Sequence, residues 1–291
     1  MYPPRFNYEA PTSIDEAVRL LAAAGADAKV LAGGQSLIPM LKLRFAAPDT
    51  IIDINGIPDL DYLTFASDGS IRIGALCRHA ALERSAELGD HQPVMAAAAP
   101  LVADPIVRNR GTFVGSLCHG DPQGDWAAVM VALGGSLIVQ GPGGRRSIPV
   151  TELAHGPFQT AIAPDEIAVE AVVPAPSGTP MGGYLKLERR VGDFATAAAA
   201  VSVDMKGDSV ARAGIALVAV GSTTVNATDA AQSLVGTSLS PSDIENAGEL
   251  AASVAEPFSD HRGSADYKRH IVRTFVERIL TRVADANRKA A

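Results

Sequence analysis

Cysteine is scarce: Cys77 and Cys118 are the only two in 291 residues. Two thiols cannot supply the four-cysteine ligand set of an iron–sulfur cluster, and they are too few for a disulfide scaffold. Both are expected to be reduced and packed. An excess of positive charge is also missing. The formal net charge is −7, which argues against recognising nucleic acid or an anionic membrane through global charge. Basic residues gather only locally, at Arg108, Arg110, Arg189, Arg190 and along the last predicted helix. Long apolar runs are absent too. Met1–Phe6 lacks the apolar stretch of a secretory signal, and the alanine-rich stretches 94–102 and 195–203 are far shorter than a membrane span. A cytoplasmic chain with no transmembrane segment is the expectation.

What is present suits a globular protein: 47% hydrophobic and 20% charged residues, in a chain long enough for two or three packed units. Ser13 can cap a helix and Glu16 can reach back in a capping box. Ile14, Ala17, Val18 and Leu21 keep a 3.6-residue period and Gly25 stops it. Residues 29–32 read as a buried strand, 37–43 as a helical turn and 50–54 as a second strand. Together they predict a small α/β unit over residues 1–55.

A second unit, 56–176, has strand signals at 71–75, 136–139, 147–150 and 167–173. Helix signals fall at 79–88, 94–102 and 125–133. The Pro/Gly-rich run 174–180 marks a boundary. In the third unit, 177–291, strands at 184–189, 197–204 and 213–220 are followed by helices at 227–234, 242–254 and 265–287. That order predicts a separate α+β domain with a three-stranded antiparallel sheet. No internal repeat is visible.

Three segments can carry chemistry. The first is Ala32-Gly33-Gly34-Gln35-Ser36 at the end of a strand. Paired glycines turn tightly and let backbone approach a ligand, and successive amides can form an anion nest. A plain structural turn has the same pattern. The Gly-x-Gly-x-x-Gly fingerprint and the P-loop are both absent, and Gly141–Gly144 reads as a hairpin turn.

The second segment is Ile106–Ser116, with Thr112, Gly115 and Ser116 offering donors beside a flexible turn. It is followed by Cys118, His119, Asp121 and Asp125. Asp125 can cap a helix or accept from ribityl or ribose hydroxyls. Cys118-His119 has no second ligand cluster nearby to make a metal site. The third is Tyr184–Thr196, where alternation puts Tyr184, Lys186 and Glu188 on one strand face. Lys186 either stabilises negative charge on a reduced ring or lies on a solvated face.

In this order, the three segments resemble the flavoprotein subunit of the xanthine oxidase and carbon monoxide dehydrogenase superfamily. The family's Ala-Gly-Gly-x-Ser turn is matched in full by Ala32–Ser36. Its Thr-x-Gly-Gly-Ser/Asn/Asp turn is matched by Thr112, Gly115 and Ser116, with Val114 where a glycine is usual. That valine is expected to shift or weaken one pyrophosphate contact. Tyr184–Thr196, running on into Ala197–Val201, is most similar to the carbon monoxide dehydrogenase branch. Ser264–His270 resembles a closing motif taken as structural. Each motif alone is weakly specific; the ordered set is strong, and the likeness spans about Pro4 to Val283.

The resemblance implies an α+β protein whose N-terminal half is α/β: a two-part FAD-binding fold of the PCMH type, followed by the three-stranded sheet with helices. It implies FAD contacts at Leu31, Ala32, Gly33, Gly34, Gln35, Ser36, Leu37, Val102, Thr112, Val114, Gly115, Ser116, Asp121, Asp125, Ala168 and Lys186. Asp125 would bind the cofactor's hydroxyl chain, and Lys186 would sit near the ring and favour its reduced anion. No residue is assigned to catalysis or to a metal.

The implied partners are a large molybdopterin-binding subunit and a small subunit with two [2Fe–2S] clusters, in a dimer of heterotrimers with peripheral access to a quinone pool. The implied function is an electron outlet from those clusters through FAD to an external acceptor, carbon monoxide being the favoured substrate of the complex. A self-sufficient flavin oxidase and a flavin-free scaffold subunit stand as alternatives.

Overall fold

A computed structural model describes residues 2–290; Met1 and Ala291, the outer ends of the first and third sequence-assigned units, lie outside them. The first elements are β1 (Asn7–Glu9), α1 (Ile14–Ala24), β2 (Ala28–Leu31), α2 (Leu37–Leu43) and β3 (Thr50–Asp53). The strands form a parallel sheet in the order β1-β3-β2. Ser13 caps α1 through the Glu16 amide at 3.2 Å. The Glu16 carboxylate reaches one residue further than a capping box requires, to the Thr12 amide at 2.8 Å. Ala17, Val18 and Leu21 are buried as their spacing predicts, and Gly25 ends the helix at φ 71°. Strand β1 went unseen in the sequence because its three residues are all exposed and carry no alternation.

Next come β4 (Leu63–Phe65), β5 (Ile71–Gly74), α3 (His79–Arg84), α4 (Ala86–His91), α5 (Pro93–Ala98), α6 (Pro105–Arg108), α7 (Phe113–His119) and α8 (Asp125–Leu133). They lead into β6 (Ser136–Gly141), β7 (Gly144–Pro149), β8 (Ala154–Gly156), β9 (Gln159–Thr160) and β10 (Ile167–Val173). An antiparallel sheet runs β4-β5-β10-β6-β7, and β8 pairs with β9. Gly141 faces Gly144 across the β6–β7 turn, the hairpin expected there. The helix read over 79–88 breaks at Ser85, and the one over 94–102 ends at Ala98 and tightens into a 3-10 turn through Leu101.

The last part has β11 (Thr179–Leu187), β12 (Ala197–Lys206), β13 (Ser209–Val218), β14 (Val225–Asn226), α9 (Thr228–Gln232), α10 (Pro241–Ser253) and α11 (Ala265–Ala290). The sheet order is β11-β12-β13-β14, so a two-residue fourth strand joins the expected three. Strand β11 starts inside the Pro/Gly run; Pro180 is tolerated because β11 is an edge strand. No helix among the described residues is long and apolar enough to cross a membrane.

The sheet carrying β12 serves two cores. Ala198 and Ala200 face the main core with α8, whereas Ala197, Ala199, Val201 and Val203 face a second core with α10 and α11. Period-2 alternation thus buries both faces, and alanine is used because helices approach closely from each side. At Gly214 a Cβ would lie 1.9 Å from the Ala132 carbonyl of α8, so glycine is required at that crossing. Helix α8 is buried from Trp126 onward apart from Ala127, as a helix apolar all round should be.

Candidate functional site

The first turn leaves the carboxyl end of β2, beside the ends of β1 and β3, where ligands of parallel sheets bind. Gly34 sits at φ 73°, a left-handed conformation that glycine adopts without cost. Gly33 is glycine for a different reason. A Cβ there would lie 2.6 Å from the Arg110 carbonyl oxygen, 2.7 Å from Gly111 Cα and 2.9 Å from the Thr112 nitrogen. The first turn therefore rests directly on the backbone of the second.

Side chains that the sequence did not single out lock this contact. Asn55 Nδ2 donates to the Ala32 carbonyl at 2.8 Å, Arg78 Nη2 donates to Asn55 Oδ1 at 2.8 Å, and Arg78 Nη1 donates to the Arg110 carbonyl at 2.6 Å. Among the described residues, the amides of Gly33, Gly34, Gln35, Ser36 and Leu37 have no protein acceptor. Gln35 and Ser36 are exposed, and Leu31 and Leu37 flank them half-buried. A run of unpaired amides on a strand-to-helix turn suits an anion. This is the fit expected of a pyrophosphate: open donors along one rim, with the cradle a Cβ would fill behind them.

The second segment is not a flexible turn but the start of a helix. Thr112 caps α7, its Oγ1 accepting from the Gly115 amide at 3.1 Å. A Cβ on Gly115 would stand 2.4 Å from that oxygen, so glycine preserves the cap. Thr112 is further held between Arg78 and the core, with His79 N donating to Gly111 O and Phe113 N donating to Cys77 O, both at 3.0 Å. Val114 is only 2% exposed and lies in the main core. Its side chain turns inward, away from the half-buried Gly115 and Ser116, and its amide has no protein acceptor among the described residues. The helix directs the side chain at position 114 inward, into the core. Asp121 holds the next loop, accepting from the Gln123 amide at 2.9 Å.

Asp125 is the first residue of α8, but Gly124 occupies the cap position and Asp125 caps nothing. Its buried carboxylate accepts from the Tyr184 hydroxyl at 2.5 Å and from Lys186 Nζ at 3.1 Å. Lys186 also donates to the Leu101 carbonyl at 2.9 Å and lies 3.6 Å from Glu188. Tyr184, Lys186 and Glu188 share a strand face as alternation predicts, but that face is neither solvated nor open. The Lys186 side chain is 2% exposed, and its charge is spent on Asp125. Burial holds the Asp125 carboxyl above its ordinary range despite Lys186 and Tyr184, and burial with Asp125 beside it pushes the Tyr184 phenol up. Of the remaining expected contacts, Val102 and Ala168 are buried. Val102 follows a 3-10 turn, and Ala168 lies on β10, which packs on α7.

His79 is the residue sequence reasoning missed most plainly. It accepts from Trp126 Nε1 through Nδ1 at 3.0 Å, and its ring stands 2.9 Å from where a Gly111 Cβ would be. A lone histidine at a helix start gives no signal, because its partner is 47 residues away. Burial, with Arg108 and Arg78 nearby, lowers its pKa to about 4. The unfolded chain therefore binds the proton first, so stability is complete above the unfolded value near 6.5 and is lost as pH falls towards 4. The loss amounts to about 3 kcal/mol. His79→Asn keeps an acceptor for Trp126 and does not titrate. Melting curves from pH 7 to 4 should show a shallower decline for this variant; parallel declines would remove His79 as the cause.

Neither cysteine forms a disulfide, and burial pushes both thiols up to about 12.

A family model described as the FAD binding domain in molybdopterin dehydrogenase matches residues 4–176. A second, the CO dehydrogenase flavoprotein C-terminal domain, matches residues 183–283. The carbon monoxide dehydrogenase medium chain of Hydrogenophaga pseudoflava is 41% identical over 281 residues, covering 96% of this chain and 97% of that one. Subunit alpha of the 6-hydroxypseudooxynicotine dehydrogenase complex of Paenarthrobacter nicotinovorans is 39% identical, covering 97% and 95%. Among solved structures, the Hydrogenophaga pseudoflava carbon monoxide dehydrogenase lacking the Mo-pyranopterin moiety superposes with a TM-score of 0.93 at 41% identity, covering 99% of each chain.

Proposed function

The chain belongs to the FAD-binding family of the molybdopterin dehydrogenases, as a medium subunit of the carbon monoxide dehydrogenase type, and from that premise we propose that it is the electron outlet of such a complex. The observation that carries the reading is the backbone contact between the two glycine turns, with its rim of five unpaired amides. Gly33 through Leu37 would hold the FAD pyrophosphate from one side, and Thr112 to Ser116 from the other. FAD supplies the chemistry of accepting single electrons and passing them on; the protein orients it and sets its surroundings. We take residues 1–55 and 56–176 as the two halves of this cradle and 177–291 as the domain that closes it. Asp121, Val102 and Ala168 are assigned to its walls. The Asp125–Lys186 pair, with Glu188 3.6 Å from the ammonium, is assigned to the same wall, as a paired buried charge rather than a free cation.

The partners proposed are a large subunit with a molybdenum–pterin cofactor and a small subunit with two [2Fe–2S] clusters, paired as a dimer of heterotrimers. This chain's two cysteines, both buried or half-buried, leave the clusters to a partner. Electrons would leave to an external acceptor such as a quinone, at the cytoplasmic face of a membrane. Carbon monoxide is the first substrate to try, because the relatives of that name are among the most similar; the choice is made in the molybdenum subunit.

Tagged protein drawn from its native host should carry FAD bands and iron–sulfur absorption and bring down two further chains. A lone yellow chain that turns over a small substrate would replace this reading with a self-sufficient oxidase. A lone colourless chain that stays colourless after FAD is added would replace it with a scaffold subunit.

A further inference from the structure

The carbonyls of Leu101, Val102 and Ala103, three in succession, each accept a hydrogen bond from a buried cation. Lys186 donates to the first, and Arg108 Nη1 donates to the other two at 3.0 Å each. The remaining face of the Arg108 guanidinium forms a fork on Glu83, with Nε at 2.8 Å and Nη2 at 3.0 Å. Arg108 is 7% exposed. The backbone it grips is strained: Ala103 has φ 49° without being glycine, a conformation that persists only where its surroundings hold it. Asp104 then caps α6, accepting from the Val107 amide at 2.8 Å.

A second segment rests on the same corner. Gly192 has φ 85°, and a Cβ there would lie 3.1 Å from the Ala103 carbonyl oxygen and 3.3 Å from Asp104 Cβ. It belongs to the loop Arg189–Phe194, whose far end is tied down by Arg262, which donates to the Phe194 carbonyl at 2.7 Å and to Asp193 Oδ1 at 3.2 Å. Between these anchors Val191 is 94% exposed.

We propose that Arg108 is a positioning residue: by clamping the Leu101–Ala103 corner it sets, together, the Val102 wall of the FAD cleft and the seat of the Arg189–Phe194 loop. The inference rests on the FAD-binding reading for the first of these and not for the second. A planar guanidinium serves two carbonyls and a carboxylate at once, whereas an ammonium on a flexible stem cannot reproduce that fork. Cofactor and loop are then coupled through one backbone corner.

The test uses the full chain as wild type, Arg108→Lys, Glu83→Gln and Gly192→Ala, read by FAD titration and by trypsin cleavage after Arg189 and Arg190. Arg108→Lys should weaken FAD by about tenfold, the size of a lost charged hydrogen bond, and speed cleavage at the loop by roughly fivefold or more through local opening. Cleavage after the exposed Arg145 in the β7 hairpin should stay unchanged, which separates loop release from general unfolding. Gly192→Ala should speed loop cleavage while leaving FAD affinity within about twofold, since the corner itself is intact. Arg108→Lys indistinguishable from wild type in both readouts would overturn the proposal. If that variant does not fold, Glu83→Gln, which keeps the carbonyl bonds and weakens the clamp, carries the same two comparisons. Failure of the wild-type chain to bind FAD would defeat the FAD reading alone, since loop cleavage still tests the corner.

Discussion

A Gly33→Ala chain will bind FAD about 100-fold more weakly than wild type, a loss of roughly 2.8 kcal/mol at 1.4 kcal/mol per tenfold, while keeping its C-terminal sheet. The methyl group has no room and nothing to displace: each atom within 3 Å of it belongs to the backbone of Arg110, Gly111 or Thr112. Relief requires the two turns to separate, and Arg78 and Asn55 hold them together. Overpacking at such a point costs about 1–3 kcal/mol, and here it falls on the surfaces that would close on the pyrophosphate.

Gly34→Ala is the internal comparison. Its Cβ meets only Ile38 Cγ1 at 3.1 Å and Leu31 Cδ1 at 3.2 Å, side-chain atoms that can yield, so the main cost is about 1–2 kcal/mol for the left-handed conformation. A loss nearer tenfold is expected from it. Titrations of the full chain followed by flavin fluorescence decide the matter. Gly33→Ala binding as tightly as Gly34→Ala would mean that the contact between turns does not build the site.

Lys186→Met will destabilise the chain by about 3–5 kcal/mol at neutral pH, the usual penalty for stripping one partner from a buried ion pair. The Asp125 carboxylate would be left 7% exposed with only the Tyr184 hydroxyl to answer it. Burial already raises the Asp125 carboxyl above its unfolded value, and loss of Lys186 raises it further. A carboxyl with a raised folded pKa takes up its proton in the folded state first, so the variant should recover stability as pH falls through that raised value. The double variant Asp125→Asn/Lys186→Met removes both charges and should regain most of the loss at neutral pH.

The same pair of variants tests the pair's effect on the cofactor. Lys186→Met leaves net negative charge in the wall and should lower the flavin potential; the double variant should return it close to wild type. An unchanged potential in Lys186→Met would mean that the pair lies too far from the ring to act on it, whatever its part in stability.

Local signals in the chain were reliable where the physics is local. The cap at Ser13, the period of Ala17, Val18 and Leu21 and the stop at Gly25 are interactions within one turn of helix, and they appear where expected. Alternation placed Tyr184, Lys186 and Glu188 on one face for the same reason. It did not say what that face meets. A strand with Lys and Glu in alternation reads as solvated; only the packing of α8 against the third sheet, through Gly214 and Ala132, puts it in contact with Asp125.

Thr112–Ser116 was legible as a glycine-bearing donor segment but not as a helix start, because its cap depends on a buried threonine held by Arg78 and Cys77 from another part of the chain. Val114 was legible as a departure from the family's glycine, but the direction of its side chain was not; the helix turns it into the core. His79 and Asn55 left no trace in pattern or spacing, since they act through partners 47 and 23 residues away, and Arg108, visible only as one of a local group of basic residues, gave no sign of its fork on Glu83, 25 residues away.

By itself, then, the amino-acid sequence determined the longer helices and strands with a clear period, the two glycine turns, the absence of a cluster-ligating cysteine set and, through the ordered motifs, the flavoprotein family, all properties of neighbouring residues or of counts. Tertiary structure decided that Gly33 abuts Arg110–Thr112, that Lys186 is spent on Asp125, and that Arg108 ties Glu83 to the Ala103 corner. The physical reason is common to all three. Close backbone approach and the pairing of buried charge depend on which distant segments the core brings into contact, and no local spacing encodes that.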